Sequence, residues 1–285
     1  DSTCVAHRRI SFRIRPRTNF HLNLNTMQLS KFGTKFTRES GIHQLMTDLG
    51  DAYNSNHPDL CMLGGGNPAF IPEAQALFGH EMQKLIENKL FERMVGIYDG
   101  PQGEVSFRQV LAGYLREKFG WQIGAEHISL TNGSQNSFFY LFNALAGEMP
   151  NGEFRKILFP LSPEYVGYAD AGLSEDMFAS VAPKIEMLDD QQFKYRVDFD
   201  ALEVGSDIAA ICLSRPTNPT GNVVSDNELA RLSEIAKQHN IPLIIDNAYG
   251  QPFPNVIYAD TNLNWDHNTI MSVSYTHLTL PTNRC

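Results

Sequence analysis

Long apolar runs are missing from this 285-residue sequence: no stretch of 18 residues is continuously apolar, which excludes a hydrophobic membrane-spanning helix. Cysteine is scarce, with four residues at positions 4, 61, 212 and 285 and no C-x-x-C pair. A disulfide framework is therefore excluded, and the scattered thiols suit a reducing, cytosolic compartment. The nine histidines form no H-x-x-x-H or Cys/His cluster, so no catalytic metal is expected. Positive charge is in deficit, 23 Lys and Arg against 32 Asp and Glu for a net −9, which argues against a nucleic-acid partner. Neither a G-x-S-x-G nucleophile elbow nor a G-x-G-x-x-G dinucleotide fingerprint occurs. What remains is an ordinary globular composition, 42% hydrophobic and 19% charged, long enough to bury a sizeable core.

The two ends differ from the middle. Residues 1–26 carry Arg8, Arg9, Arg13, Arg15 and Arg17 against the single acid Asp1, whereas from Met27 onward 18 basic residues face 31 acidic ones. The leader reads as an organelle transit peptide or as upstream sequence preceding a start at Met27, and the second is favoured because its arginines trace no clear amphipathic helix. After Met271 the segment 272–285 fits neither a helix nor a closing strand and resembles non-native read-through sequence. The expected organisation is therefore a leader at 1–26, an N-terminal segment at 27–97, a large domain at 98–271 and an extraneous tail at 272–285.

Between those ends, strand and helix patterns alternate. Residues 104–119 place Val105, Val110, Leu111, Tyr114 and Leu115 near helical spacing, and 135–146 reads as an apolar helix. Residues 128–131, 156–160, 208–213 and 242–246 are strand candidates, and the continuously apolar run 208–213 is what a strand buried on both faces requires. Ser225-Asp-Asn-Glu228 is a capping-box signature ahead of Leu229, Leu232, Ile235 and Ala236. The alternation predicts an α/β domain, a mostly parallel sheet with helices on both faces.

Ligands in such sheets sit at the carboxyl ends of the strands, which singles out four segments. Asp246 follows Leu-Ile-Ile where the apolar interior meets a cleft; an N-cap for a following helix is the equally good bland reading. Tyr249, three residues on, and Asn218 in the Asn218-Pro219-Thr220-Gly221 turn add a phenol and an amide at neighbouring strand ends. Together the three match a planar heteroaromatic ring bearing a nitrogen and a phenolic oxygen. Gly133-Ser134-Gln135 opens an apolar helix whose free N–H groups suit an anion or phosphate, or simply start a helix. Tyr165 follows a Pro-rich loop and is either a ring-stacking or a core tyrosine. Leu63-Gly64-Gly65-Gly66-Asn67-Pro68 allows close backbone approach, and Tyr98-Asp-Gly-Pro-Gln-Gly103 precedes the 104–119 helix as a ligand loop or a surface turn.

The order Tyr98-x4-Gly103, Gly133-Ser134-Gln135, Tyr165, Asn218-Pro-x-Gly221 and Asp246-x-x-Tyr249 resembles the fold-type I pyridoxal-phosphate aminotransferases of class I/II. Longer blocks are similar to the branch that exchanges an amino group between valine and pyruvate, giving 2-oxoisovalerate and alanine. They include Phe36-Thr-Arg-x-Ser-Gly41, Met62-Leu-Gly-Gly-Gly-Asn-Pro-Ala69, Pro163-Glu-Tyr-x-Gly-Tyr168 and Ser214-Arg-Pro-Thr-Asn-Pro-Thr-Gly-Asn222. The resemblance implies pyridoxal 5′-phosphate as cofactor. Asp246 would pair with the pyridinium nitrogen, Tyr249 and Asn218 with the phenolic oxygen, and Tyr165 would lie on the ring face. Ser134 and Gln135, shaped by Gly133, would take the phosphate, Tyr98 would reach the cofactor of a partner subunit in a homodimer, and Gly66 would lie beside the substrate carboxylate.

One departure outweighs these matches. The family's Schiff-base lysine follows a Ser-x-Ser segment, but here Ser272-Val-Ser274 is followed by Tyr275, and no lysine occurs after Lys237. The resemblance therefore implies a chain that is inactive as written, its C-terminal small domain missing, and derived from an active enzyme whose sequence continues Ser-x-Ser with Lys. Rival readings are a non-catalytic ligand-binding module that keeps the cleft, or a lyase or decarboxylase on the same fold.

Overall fold

The computed structural model describes residues 28–55, 71–189, 191–250, 261–262 and 264–273. The leader, Gly66 and Tyr275 lie outside the described residues. The chain divides into two units, one ending at Arg38 and one beginning at Glu39. In the first unit α1 (Lys31–Phe36) starts at Ser30, whose hydroxyl accepts from the Gly33 N–H at 2.9 Å, supplying a partner that a first-turn N–H otherwise lacks.

The second unit opens with α2 (Gly41–Ser55), α3 (Pro72–Glu87) and α4 (Leu90–Gly96), none of which contains a buried residue. The predicted 104–119 helix is α5 (Val105–Phe119), with Glu104 as N-cap accepting from the Phe107 N–H and Gly120 closing it in the left-handed region. The apolar helix is α6 (Ser134–Leu145). Then come β1 (Gly147–Glu148), β2 (Phe154–Phe159), α7 (Tyr168–Ala171), β3 (Phe178–Ser180), and a separate antiparallel ribbon of β4 (Lys184–Met187) and β5 (Phe193–Arg196). The chain continues through β6 (Ile208–Ser214), α8 (Asp226–Gln238), β7 (Leu243–Asp246) and β8 (Thr269–Ser272).

The main sheet runs β1-β2-β6-β7-β8, with β3 on the outer edge of β2, and every pairing except β1 with β2 is parallel. All seven residues of β6 and all four of β7 are buried, as central parallel strands covered on both faces must be. Alternation assigns the faces. Leu158, Ile211, Leu213, Leu243 and Ile245 pack with Leu229, Leu232 and Ala236 of α8, whereas Ile157, Phe159, Ala210, Cys212 and Ile244 pack with Phe138 and Phe142 of α6 and Tyr168 of α7. Each fully buried Leu, Ile or Phe side chain contributes about 1.5–3 kcal/mol, so this two-sided packing fixes the register that places the strand ends. Among the described residues no helix is long and apolar enough to cross a membrane.

One predicted strand is not formed. Residues 128–131 join no ladder among the described residues. The Leu130 N–H donates to the Gln102 carbonyl at 2.9 Å, and the Leu130 side chain lies where a Cβ on Gly103 would stand. Gly103 has φ +89°, so the Tyr98–Gly103 turn needs glycine for both space and conformation, and Leu130 is spent covering that turn.

Candidate functional site

Three polar side chains end three adjacent strands in one row. Ser214, Asp246 and Ser272 are in register across β6, β7 and β8. Each stands two residues beyond a side chain, Cys212, Ile244 or Ile270, that packs toward α6 and α7, so all three point to that face. All three are buried.

Asp246 is the centre of the row. Its Oδ2 accepts from the Tyr168 hydroxyl at 2.6 Å and its Oδ1 from the Ala248 N–H at 3.0 Å. The latter bond closes a turn, not the start of a helix, so the N-cap reading of Asp246 is set aside. Burial pushes its pKa up, against the lowering effect of the two hydrogen bonds. Neither hydrogen-bond partner is a cation, so the buried carboxylate has spare lone pairs and no counter-charge among them. A protonated ring nitrogen fits that deficit.

The other predicted groups converge on it. Tyr249 is brought to Asn218, whose amide donates to its hydroxyl at 3.4 Å. Tyr165 is half-buried; its hydroxyl pKa is raised by burial and then by the proximity of Tyr249 and Asp246. Its ring stands edge-on to Tyr168, centroids 5.4 Å apart, and lies where a side chain on residue 167 would stand, which explains Gly167. Tyr168 in turn stacks on Phe159 at 5.4 Å and 2° between planes, so the hydroxyl that holds Asp246 is carried by a rigid ring.

The phosphate candidates sit at the start of α6. Gly133 takes φ +87° with open space where a Cβ would be, and no side chain caps the first turn, so its N–H groups stay available. The Gln135 side chain donates to the Gly167 carbonyl at 2.8 Å, tying this helix start to the loop that carries Tyr165. Thr131 and Ser137 share a hydroxyl hydrogen bond at 2.7 Å just beside it. Tyr98 is brought to none of these groups; its side chain is fully exposed.

Sequence reasoning gave no site role to Glu164, Tyr168, Ser214 or Ser272, although Glu164 and Ser214 fall within the strand-end segments it singled out. Glu164 accepts from the Ser214 N–H at 3.1 Å and, through its other oxygen, from the Ser214 hydroxyl. The Ser272 hydroxyl is buried with no hydrogen-bond partner among the described residues. The signal for Ser214 and Ser272 was the period-2 count from Cys212 and Ile270, and for Tyr168 a second tyrosine one turn after Tyr165. A buried acid with neutral partners among the described residues, a phenol–amide pair and an uncapped glycine-led helix fit the ring nitrogen, the ring oxygen and the phosphate of pyridoxal 5′-phosphate.

The sequence signature of the family described as aminotransferase class I and II matches residues 62–275. The chain belongs to the class I and II aminotransferases. Members of this family work with pyridoxal 5′-phosphate, in agreement with the donor set above. The valine–pyruvate aminotransferase of Escherichia coli K12 is 52% identical over 259 residues, covering 91% of this chain and 62% of that protein. The crystal structure of the valine–pyruvate aminotransferase of Salmonella typhimurium superposes with a TM-score of 0.71 at 48% identity, over 85% of this chain and 58% of that one. An alanine aminotransferase from Pyrococcus furiosus aligns with a TM-score of 0.65 at 17% identity, over 88% of this chain and 60% of that one, and shares the fold. This aminotransferase chain thus spans about three fifths of the length of the relatives it matches.

Proposed function

We propose that this sequence supplies the cofactor-binding part of an enzyme that moves an amino group between valine and pyruvate, yielding 2-oxoisovalerate and alanine in branched-chain amino-acid and alanine metabolism. The observation that carries the reading is Asp246, buried at the end of β7 with only neutral hydrogen-bond partners among the described residues. The 52% identity to the Escherichia coli enzyme supports the choice of substrates.

When bound, pyridoxal 5′-phosphate supplies a ring that accepts the electrons released when a substrate Cα–H bond breaks. Asp246 would keep the ring nitrogen protonated, with Tyr168 and Ala248 fixing the direction of its oxygens. Asn218 and Tyr249 would direct polar hydrogens at the ring oxygen, and Tyr165 would cover one ring face and exclude water from it. N–H groups of Ser134 and Gln135 would hold the phosphate, with the backbone turned by Gly133. Gly66 would stand beside the substrate carboxylate, and Tyr98, projecting from the surface, would complete the site of a partner subunit in a cytoplasmic homodimer. The proposed organisation keeps 98–271 as the cofactor domain, with 27–97 preceding it, but the expected tail cannot begin at 272, because Ser272 ends β8 in register with Asp246; an extraneous tail would start beyond it.

Tyr275 stands where the reading requires a lysine, and no lysine follows Lys237. Without that amine the 285-residue chain has no base for the proton shift, so it binds the cofactor reversibly and does not turn over. The first test is resequencing of the source DNA across codons 268–285. A Ser-x-Ser-Lys continuation, and valine–pyruvate transamination by its product, is the expected result; an intact long frame encoding tyrosine at 275 overturns the proposal.

A further inference from the structure

Glu164 is an acid that none of the roles above uses. It precedes Tyr165 in the loop between β2 and α7, and both its carboxyl oxygens are engaged by Ser214. Ser214 is the register neighbour of Asp246, so the carboxyl that grips Ser214 is brought near the Asp246 carboxyl. We propose that Glu164 is a positioning residue of the cofactor site, gripping Ser214 so that the loop carrying Tyr165 is held against the end of β6 and a second carboxyl stands alongside Asp246. The proposal rests on the pyridoxal-phosphate reading above.

The grip works in either protonation state. The Ser214 hydroxyl is a rotor that donates to a carboxylate or accepts from the acid, while the Ser214 N–H donates to the other oxygen throughout. Burial, with the nearby Asp246 charge adding to it, raises the Glu164 carboxyl to about 7, although the bonds from Ser214 and the Tyr165 N–H pull it down. The groups facing it are Asp246 from β7, the buried Cys212 thiol from β6 and the Tyr168 phenol from α7; burial holds both the thiol and the phenol neutral by pushing their pKa values up. Ionisation of Glu164 near neutral pH therefore adds one negative charge on the ring-nitrogen side of the site. An ionised Glu164 adds to the hold on a protonated ring nitrogen; a neutral one leaves Asp246 to act alone.

Two measurements on the 285-residue chain test this. In the cofactor-free protein, the infrared difference between the parent and Glu164→Gln is expected to show a carboxylic-acid band at about pH 5 that vanishes with a midpoint near neutrality. Its midpoint should move down when both proteins also carry Asp246→Asn, where the like charge is gone. No such band, or a midpoint indifferent to Asp246→Asn, overturns the carboxyl pair. Equilibrium dialysis with pyridoxal 5′-phosphate then tests the grip. Glu164→Ala should bind about tenfold more weakly than the parent, and Glu164→Gln, which keeps an acceptor for the Ser214 N–H, should stay within about threefold at pH 6. Between about pH 6 and 8 the parent should gain affinity relative to Glu164→Gln. An Ala variant that binds like the parent overturns the proposal and leaves the cofactor reading standing. Absence of binding by the parent overturns the cofactor reading, and the infrared midpoint still decides the carboxyl pair.

Discussion

The Tyr168 hydroxyl donates to Asp246 Oδ2 at 2.6 Å across 78 positions of sequence, fastening α7 to the end of β7. The bond does two things at once: it satisfies half of a buried carboxylate and it aims the free lone pairs away from α7. Tyr168→Phe keeps the ring in its stack on Phe159 and removes the donor alone. A lost hydrogen bond to a buried charged group costs about 1.5–3 kcal/mol. Urea unfolding should show a loss of that size at neutral pH, with a smaller loss at acid pH, where the carboxyl carries its own proton. On the proposed reading, affinity for pyridoxal 5′-phosphate should fall as well, because the oxygens that would meet the ring nitrogen are no longer fixed.

Glu164 gives a pH dependence of opposite sense to that of an ordinary carboxylate. Its folded-state value of about 7 lies above the unfolded value of 4.5, so between those limits the folded chain binds the extra proton. Stability from this group is complete below about pH 4.5 and is lost as the pH rises through about 7, a change of about 3 kcal/mol. Unfolding free energies of the parent and Glu164→Gln, compared at about pH 5 and pH 8.5, should therefore diverge, with the variant relatively more stable on the alkaline side. A constant difference between the two proteins would contradict the assignment.

Local signals made much of this legible in the sequence. The helix beginning after Glu104, the fully apolar β6 and the capping box before α8 each declare themselves within a few residues, because a cap, a run or a period is decided by neighbours in the chain. The strand ends were equally accessible, and that is why Asp246, Asn218 and Tyr249 stood out. What local patterns do not encode is register. That Ser214, Asp246 and Ser272 share one row depends on how β6, β7 and β8 pair. That Glu164 serves Ser214 depends on a contact 50 positions long. Residues 128–131 show the converse error: the alternating Ile-Ser-Leu-Thr segment has good strand propensity, but its Leu130 covers Gly103 and it pairs with no strand among the described residues.

The capping box of α8 extends beyond the helix, and acid should reveal this. Glu228 Oε2 accepts from the Ser225 N–H at 2.9 Å and hydroxyl at 2.6 Å, while Oε1 accepts from the Val197 N–H at 3.0 Å beyond β5. Burial is the largest single influence on Glu228 and would raise its pKa, but these bonds and the charge of Arg196 together lower it. The stability it contributes is present above the unfolded value and is lost as the pH falls through the depressed folded one. Glu228→Gln should cost about 1–3 kcal/mol at pH 7, a difference that should narrow toward about pH 3 as the parent carboxyl takes up a proton. Urea unfolding at the two pH values checks both halves.

Gly167 separates the seat of Tyr165 from the stability of the fold. Its φ of −71° is open to any residue, so alanine there meets no backbone strain. A Cβ would instead stand 2.5 Å from Cε1 and 2.9 Å from Cζ of Tyr165, distances that no real contact sustains. The ring is half-buried and attached through two free torsions, so it can swing away at modest cost, while the Gly167 carbonyl that accepts from Gln135 stays in place. Gly167→Ala should therefore unfold within about 1 kcal/mol of the parent yet bind pyridoxal 5′-phosphate about tenfold more weakly, because the ring face Tyr165 covers is left open to water. Equal losses in folding and in cofactor affinity would instead mean that Tyr165 is a core residue and not a wall of the site.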